Sequence, residues 1–242
     1  MKINGHIITQ LGKPLPKHRY RFDADNKVFE SAENNLVLDF GGYDGWTFIT
    51  GYGCTFLTGS NCDFKTCTPT QFHEDSIELP DHSVFMTGIN CTFKTGTNCI
   101  FKTGVNCKFD THMGCTFITS SDCEFNTGMC CTFNVTGGDC IFNTGEDCKF
   151  DVWCGCTFNT GDNCTFNAYS RNYFITGDMC VFKTMDDNIY ECGKNCTYSL
   201  TNIESNTFLT YDGCSTIFDW SNPEKRAILD KRFYNLQKII KG

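Results

Sequence analysis

The chain has little proline and few histidines, and positive charge is in deficit. Among 242 residues there are 5 Pro and 5 His, and 20 Lys and Arg stand against 28 Asp and Glu, for a net charge of −8. This balance argues against a nucleic-acid-binding surface over the whole molecule. No run approaches the roughly 18 apolar residues of a membrane span. Residues 1–6 lack the apolar stretch of a secretory signal, so neither a membrane segment nor export is expected.

Motifs for catalysis are also absent from the sequence. The 5 His are dispersed, and no Gly-x-Ser-x-Gly, phosphate-binding loop or His-Glu-x-x-His occurs. The acids expected to face outward, Asp110, Glu124 and Asp151, form no recognisable set with basic or aromatic partners. His112 is interpreted as a surface residue of a turn. The sequence therefore predicts that the protein is not an enzyme.

Cysteine and phenylalanine are abundant instead, with 19 and 23 residues, and Gly adds 22. From residue 91 they recur in a unit of eight residues, Cys-x-Phe-x-Thr-Gly-x-Asn/Asp/Gly, with one nine-residue copy over 131–139. Earlier copies begin at 38, 46, 54 and 62, an interruption covers roughly 70–82, and the pattern decays after 187. Most of the chain is therefore one repeat array.

The repeat predicts a short strand followed by a turn. Its first, third and fifth residues share one face of a strand, and these are the recurring Cys, Phe and Thr, so that face is expected to be buried. The second and fourth residues vary, as exposed positions do. Gly is expected to supply a positive φ, and Asn or Asp to tolerate left-handed geometry. Strands and turns without helices indicate an all-β fold, a parallel β-solenoid with adjacent coils about 4.8 Å apart.

The irregular copies indicate how many units make one coil. Thr-Gly turns at 144, 160 and 176 alternate with turns that contain Trp153, Tyr169 and Met185. A period of 16 residues predicts a two-sided solenoid whose two edges differ. At the strand spacing, roughly nine coils would extend about 45 Å.

The two ends differ from the array and are basic. Residues 1–37 are predicted to be an N-terminal capping or attachment segment, and 38–220 to be the solenoid. Residues 221–242 are predicted to be an amphipathic C-terminal helix, because Asn222, Pro223 and Glu224 suit a helix start. Its apolar stripe and basic flank consist of Leu229, Phe233, Leu236 and Ile240 with Lys225, Arg226, Lys231, Arg232, Lys238 and Lys241. Two interpretations remain: the helix caps the last coil, or it docks on a partner.

The stacked cysteines have competing interpretations. In-register side chains point in parallel and the total of 19 is odd, which favours a reduced thiol ladder. A minority of disulfides remains open, involving Cys67, Cys130, Cys154 or Cys192. Zinc is disfavoured, because neither Cys154 with Cys156 nor Cys192 with Cys196 has a second pair. Calcium on the acidic turns at 146–147, 162–163 and 178 is also disfavoured, so no metal and no cofactor is predicted.

The tandem unit resembles octapeptide-repeat proteins encoded by tailed bacteriophages and some large DNA viruses. The matching segments are chiefly 91–96, 99–104, 140–145 and 156–161, and the resemblance covers the repeat array only. It implies a viral origin and a virion-associated or host-directed β-solenoid. The interruption near 70–82, the basic N-terminal segment and the C-terminal helix depart from a pure array.

Three non-enzymatic functions follow. The favoured one is a structural virion protein in a tail fibre, tail-associated or capsid-decorating role, made in the host cytoplasm and located in the virion. Its partners would be other virion proteins or its own copies, with a possible host-surface glycan or protein, and neither a membrane nor nucleic acid. The alternative is an acidic DNA mimic that inhibits a host DNA-binding enzyme. Ice binding is disfavoured, because Ile100, Lys108, Glu124 and Lys149 interrupt the rows of outward Thr92, Thr116, Thr132, Thr157 and Thr165.

Partner contact is expected at the C-terminal helix, at the 70–82 interruption and at an aromatic edge. Trp153 and Tyr169 are separated by 16 residues and are therefore predicted to lie on adjacent coils of the same edge. An exposed aromatic pair suits carbohydrate or protein contact. The other interpretation is that both rings fold over the edge of the solenoid.

Overall fold

The structure, a computed structural model, describes residues 2–3, 6–41, 43–66, 81–200, 205–209 and 215–217. Within these ranges the protein is a parallel β-solenoid of about 10 turns with about 16 residues per coil, as the repeat predicted. The only helical element in the described ranges is a 3₁₀ turn, Lys17–Arg19. Among the described residues, no helix is long and apolar enough to cross a membrane. The predicted C-terminal helix, including Lys225, Arg226, Leu229, Phe233, Leu236 and Ile240, lies outside the described residues, as does most of the interruption near 70–82.

The strands form two sheets, which we call sheet A and sheet B, and after the first five strands they alternate between the two sheets along the chain. Sheet A contains β1 Lys2–Ile3, β2 His6–Gln10, β3 Lys13–Pro14, β6 Leu36–Asp39, β8 Thr55–Leu57, β10 Val84–Met86, β12 Ile100–Lys102, β14 Thr116–Thr119, β16 Thr132–Val135, β18 Lys149–Val152, β20 Thr165–Ala168, β22 Val181–Thr184, β24 Thr197–Leu200 and β26 Ser215–Ile217. Sheet B contains β4 Arg21–Asp23, β5 Val28–Glu30, β7 Thr47–Thr50, β9 Asp63–Thr66, β11 Thr92–Lys94, β13 Lys108–Asp110, β15 Glu124–Asn126, β17 Ile141–Asn143, β19 Thr157–Asn159, β21 Tyr173–Thr176, β23 Ile189–Cys192 and β25 Thr207–Phe208.

The register keeps equivalent residues of successive coils side by side. Phe101 pairs with Phe117, and Phe117 with Phe133, at the 16-residue interval. The nine-residue copy lengthens one interval, so that Phe133 pairs with Phe150. Across the interruption Phe56 pairs directly with Phe85, and Phe64 with Phe93. The extra residues therefore leave the stacking on both sides intact.

The core consists of two facing stacks of aromatic rings. Within sheet A the rings of Phe101 and Phe117 lie parallel with their centroids 4.9 Å apart. Between the sheets Phe101 meets Phe109 edge-on at 5.2 Å and 74°. Offset-stacked and edge-to-face pairs are both favourable and contribute about 0.5–1.5 kcal/mol beyond their buried area. Contacts of these two kinds continue to Tyr190, Tyr198 and Phe208, so the core runs unbroken along the described solenoid.

The turns correct one sequence expectation. The sixth-position glycines of the Thr-Gly turns, such as Gly145 and Gly161, do not have a positive φ. Glycine is needed because the adjacent coil leaves no room for a side chain. An added Cβ at Gly161 would lie 2.8 Å from the backbone nitrogen of Glu146. The residue with a left-handed backbone conformation is the eighth of the unit, as the sequence predicted for Asn and Asp. The same conformation occurs where Gly, Cys, Arg or Met stands there, as at Gly155, Cys130, Arg171 and Met179.

The N-terminal residues pair differently from the coils. Strand β2 runs antiparallel to β6, and β4 runs antiparallel to β5, whereas all later pairs along the described coils are parallel. The side chains of Tyr20 and Phe22 pack against the end of the aromatic core. The Tyr20 ring stacks on Phe29 at 5.6 Å.

Candidate partner-binding edge

The predicted aromatic pair lies on one edge of the solenoid, in the turns that lead from sheet A to sheet B. Trp153 follows β18 and Tyr169 follows β20, on adjacent coils. Their ring centroids are 5.4 Å apart with 30° between the planes. The side chains are 51% and 43% exposed, so the rings present a surface to solvent.

Met185 extends this surface onto the next coil. The backbone N–H of Tyr169 donates to Trp153, and that of Met185 donates to Tyr169, so the three residues are equivalent positions of successive turns. Met185 is 39% exposed. We call Trp153, Tyr169 and Met185 the aromatic stripe. On earlier coils the sixth position of this edge is small, at Gly88, Gly104 and Ser120.

A ladder of buried asparagines fixes the backbone behind the stripe. Asn172, Asn188 and Asn206 occupy the first position of the unit, where Cys is usual, and all are buried. The side-chain Oδ1 of Asn188 accepts the backbone N–H of Asn172 at 2.9 Å. The Asn172 amide donates to the Trp153 carbonyl at 3.2 Å, and the Asn188 amide to the Tyr169 carbonyl at 3.1 Å. The ladder thus holds the two turns that carry the aromatic rings.

A polar pair lies beside the stripe. The Arg171 guanidinium donates to Cys154 Sγ at 3.8 Å. Arg171 is exposed and Cys154 is half-buried. The edge therefore combines an apolar surface with a cationic group, a composition found at protein interfaces.

None of the 17 described cysteines is joined in a disulfide, and most are buried. Each ladder sulfur lies over turn carbonyls: Cys164 Sγ is 3.6 Å from the Gly145 oxygen and 3.5 Å from the Asp162 oxygen. Burial raises the pKa of the Cys54 thiol to about 11. The neighbouring Cys115 thiol, together with burial, raises the pKa of Cys131 to about 11. Of the candidates for disulfides, Cys130 is exposed, Cys154 half-buried and Cys192 buried, and Cys67 lies outside the described residues.

The acidic turns have a structural role. Asp162 Oδ1 accepts the backbone N–H of Asp178 at 2.8 Å, and Asp178 Oδ1 accepts that of Lys194 at 2.7 Å. Each carboxylate thus bonds the turn of the next coil. Among the described residues, no group of three or more His, Cys, Asp or Glu side chains is arranged to hold a metal ion.

The remaining candidate residues do not converge on one site. Asp110 and Glu124 lie on sheet B, where Glu124 pairs with Lys108 at 3.1 Å, whereas Asp151 lies on sheet A and accepts from Asn167 at 3.0 Å. His112 is exposed in a turn. The outward threonines are divided between the two sheets, with Thr116, Thr132 and Thr165 on sheet A and Thr92 and Thr157 on sheet B.

A buried carboxylate was missed by the sequence reasoning. Asp81 is fully buried and accepts hydrogen bonds from the hydroxyls of Thr66 and Ser83. It also accepts the backbone N–H of Gly96 at 3.1 Å. Asp81 thus anchors the point where the chain rejoins the solenoid after the interruption. The sequence contained an indication of this role, because Asp81 lies just before a unit that begins with Ser83 and not with the usual Cys.

No known protein family, curated protein or solved structure matches the chain.

Proposed function

We propose that the protein is a rigid structural component of a viral particle, in a tail-fibre, tail-associated or capsid-decorating role. The observation that supports it best is the unbroken aromatic core, which joins every described coil to the next by ring stacking and backbone hydrogen bonds. Such a body resists bending and keeps its two ends at a constant distance. The resemblance to viral octapeptide-repeat proteins supplies the viral context.

The ends are the proposed attachment points. The antiparallel strands β2 and β4 cover the first coil, so the N-terminal segment 1–37 acts as a cap. The exposed side chains of Lys13 and Lys17 remain for contact. The predicted helix over 221–242 either caps the last coil or binds a partner at that end. Capping both ends prevents the open sheet edges from pairing with other chains.

The aromatic stripe is the proposed lateral contact with a neighbouring particle protein. Trp, Tyr and Arg are the residues that contribute most to binding at protein interfaces. Trp153, Tyr169 and Arg171 bring all three types to one edge, with Met185 extending the apolar area. The asparagine ladder holds these turns in place before binding, which reduces the entropy lost on association.

A DNA-mimic function is less well supported. Lys65 and Lys94 lie side by side on the outer face of sheet B, and Lys108 pairs with Glu124 on the same face. These cations interrupt the continuous negative surface that a mimic of DNA would need.

The test is quantitative mass spectrometry of purified particles. We expect the protein at a constant copy number per particle, and a reduced copy number for Trp153→Ala with Tyr169→Ala. Tyr52→Ala is the matched control, since Tyr52 is 40% exposed on the opposite edge. Absence of the wild-type protein from particles would contradict the proposal. Equal incorporation of the double variant would contradict the role of the stripe alone.

A further inference from the structure

A second surface lies on the opposite edge of the solenoid, where the strands of sheet B end. Three successive sheet B units there carry the same sequence, Asn-Thr-Gly, at 126–128, 143–145 and 159–161. They form an open groove of about 420 Å³, lined by Asn126, Thr127, Asn143, Thr144, Gly145, Asn159, Thr160 and Gly161. We call it the Asn-Thr-Gly groove. The groove is shallow and open to solvent, so a ligand would lie along it and not inside a cavity.

The groove has defined ends. Equivalent turn residues are linked by hydrogen bonds from Gly128 to His112, from Gly145 to Gly128 and from Gly161 to Gly145. His112 thus stands at the glycine position on one side, and Asp110 replaces the asparagine there. On the other side Ile175 replaces the asparagine. The glycines between leave the floor open because they have no side chain.

The three asparagine amides are free to bind a ligand. Asn126, Asn143 and Asn159 make no side-chain hydrogen bond to any described residue. Ladders of asparagine elsewhere in the molecule behave differently: the Asn106 amide donates to Asn90 at 2.9 Å, and the Asn90 amide to Asn61 at 3.1 Å. Each groove asparagine therefore offers donors and an acceptor, repeated on three coils.

The backbone of the groove is already satisfied. The N–H of Thr127 donates to Asn143, that of Thr144 to Asn159 and that of Thr160 to Ile175, at 2.9 to 3.0 Å. A peptide strand therefore has no free backbone edge to pair with here. The hydroxyls of Thr127, Thr144 and Thr160 donate to the carbonyls of the glycines that follow them, at 3.4 to 3.5 Å. What the groove offers is therefore a row of side-chain amides.

Charge narrows the class of ligand further. None of the lining residues is charged or carries a large apolar side chain. Glu146, Asp147 and Asp162 follow the floor glycines along the chain, so the rim repels anions. A phosphate-bearing or carboxylate-bearing ligand is disfavoured. A ligand rich in neutral hydroxyl groups matches the lining, because each hydroxyl both donates and accepts.

We propose that the Asn-Thr-Gly groove binds a neutral linear oligosaccharide that runs along the solenoid axis. The coils bring equivalent side chains together at 4.7–4.8 Å, measured between the rings of Phe125, Phe142 and Phe158 behind the groove. This repeat is close to the advance of one sugar unit in an extended chain, so each sugar lies beside one groove asparagine. Successive sugars of such a chain are rotated relative to one another, and a side-chain amide suits this because it can both donate to and accept from either edge of a sugar. The proposal is independent of whether the protein resides in a viral particle.

The test is isothermal titration calorimetry of the full chain with cellohexaose, chitohexaose, mannohexaose and xylohexaose. At least one of these is expected to bind wild-type protein, and Asn143→Ala to weaken its binding at least tenfold. The melting temperature of Asn143→Ala should equal that of wild type, because the side chain has no protein partner to lose. Asn134→Ala is the matched control, since Asn134 is an exposed asparagine at the same strand position on sheet A, and its binding should be unchanged.

Shorter oligomers of the bound sugar provide a second measurement. Affinity should rise up to three or four units and then stop rising, because three coils line the groove. Oligogalacturonate, the anionic comparison, should bind more weakly than the neutral ligand. Absence of binding by all four neutral hexamers, equal binding by Asn143→Ala, or preference for the anion would overturn the proposal. None of these results depends on the particle experiment, so the two proposals fail separately.

Discussion

At the residue scale, each position of the repeat has its own physical constraint. From residue 54 onward the first position carries a side chain that tolerates burial over turn carbonyls, and Cys, Ser83 and Asn188 all meet this requirement. The first copies have the larger Leu38 and Trp46 at this position. The sixth position requires glycine where the coils come closest, as at Gly145, because a Cβ would lie 2.9 Å from the nitrogen of Met129. The eighth position requires a left-handed residue, for which Asn, Asp and Gly are favourable.

Thiol accessibility tests the reduced ladder. We expect the denatured, unreduced protein to react at all 19 cysteines of the chain. In the native protein, Cys130 and Cys154 should react first among the described cysteines, because the others are buried. Alkylation with time-resolved peptide mass spectrometry measures both. Few reactive thiols after denaturation would show that the ladder is bridged.

Alkaline pH should remove the contribution that the buried Cys54 and Cys131 thiols make to stability. The pKa values of Cys54 and Cys131 are raised from 9.0 to about 11 in the folded protein. Between these values Cys54 and Cys131 lose their protons in the unfolded chain but keep them in the folded chain, so the part of the free energy of unfolding that these two thiols contribute falls as pH rises. It is unaffected by these groups below the unfolded pKa. Each thiol contributes a slope of about 1.4 kcal/mol per pH unit.

Denaturant unfolding from pH 8 to 11 provides the measurement. Cys54→Ser should reduce the dependence of the free energy of unfolding on pH by the contribution of one thiol. This result is expected whatever the substitution does to stability at neutral pH. An identical slope in wild type and variant would mean that the Cys54 thiol ionises as readily in the folded protein as in the unfolded chain.

At the element scale, the turns determine which parts of the solenoid differ from the average coil. Turns with Thr-Gly pack closely and form the floor of the Asn-Thr-Gly groove. Turns that lack a glycine at the sixth position carry Trp153 and Tyr169 outward, and the side-chain amides of Asn172 and Asn188 donate to their carbonyls. The two edges thus present unlike surfaces although their strands are alike.

Asp81 is expected to stabilise the coil next to the interruption. Replacing it with Ala would leave the hydroxyls of Thr66 and Ser83 and the N–H of Gly96 buried without their acceptor, so Asp81→Ala should reduce the free energy of unfolding by about 3 kcal/mol. Chemical denaturation measures this. Asp110→Ala is the control, because Asp110 is exposed, and a change within about 0.5 kcal/mol is expected there. Similar losses in both variants would contradict the anchoring role.

Sequence alone could predict the two-sided solenoid because the constraint on each strand is local. Period-two alternation identifies the buried face of every unit, and the 16-residue recurrence of non-glycine turns places Trp153 beside Tyr169. The sixth-position glycine was misinterpreted, because the reason for it is the distance to another coil. Asp81 was missed for the same reason, since its partners Thr66 and Gly96 belong to different coils. The Asn-Thr-Gly groove could have been found, because its three copies recur on one sheet.

At the scale of the whole molecule, the continuous core makes the length of the solenoid depend on the number of repeat units in the sequence. Each coil adds one step between adjacent Phe rings, 4.9 Å from Phe101 to Phe117 and 4.9 Å from Phe117 to Phe133. A solenoid of this kind holds its two ends at a distance set by the number of coils. The edge surfaces then decide what is displayed along that length.

Excision of residues 99–130 tests this account most directly. The segment comprises two complete coils, so the chain would pass from Asn98 to Cys131 in register, and Phe85 would stack on Phe133. Cryo-electron microscopy of the purified protein, fused to a rigid marker at each end, measures the end-to-end distance. We predict a folded solenoid that is shorter by two steps of 4.9 Å. An unchanged length, or a chain that no longer folds, would contradict the claim that independent, in-register coils determine the length of the molecule.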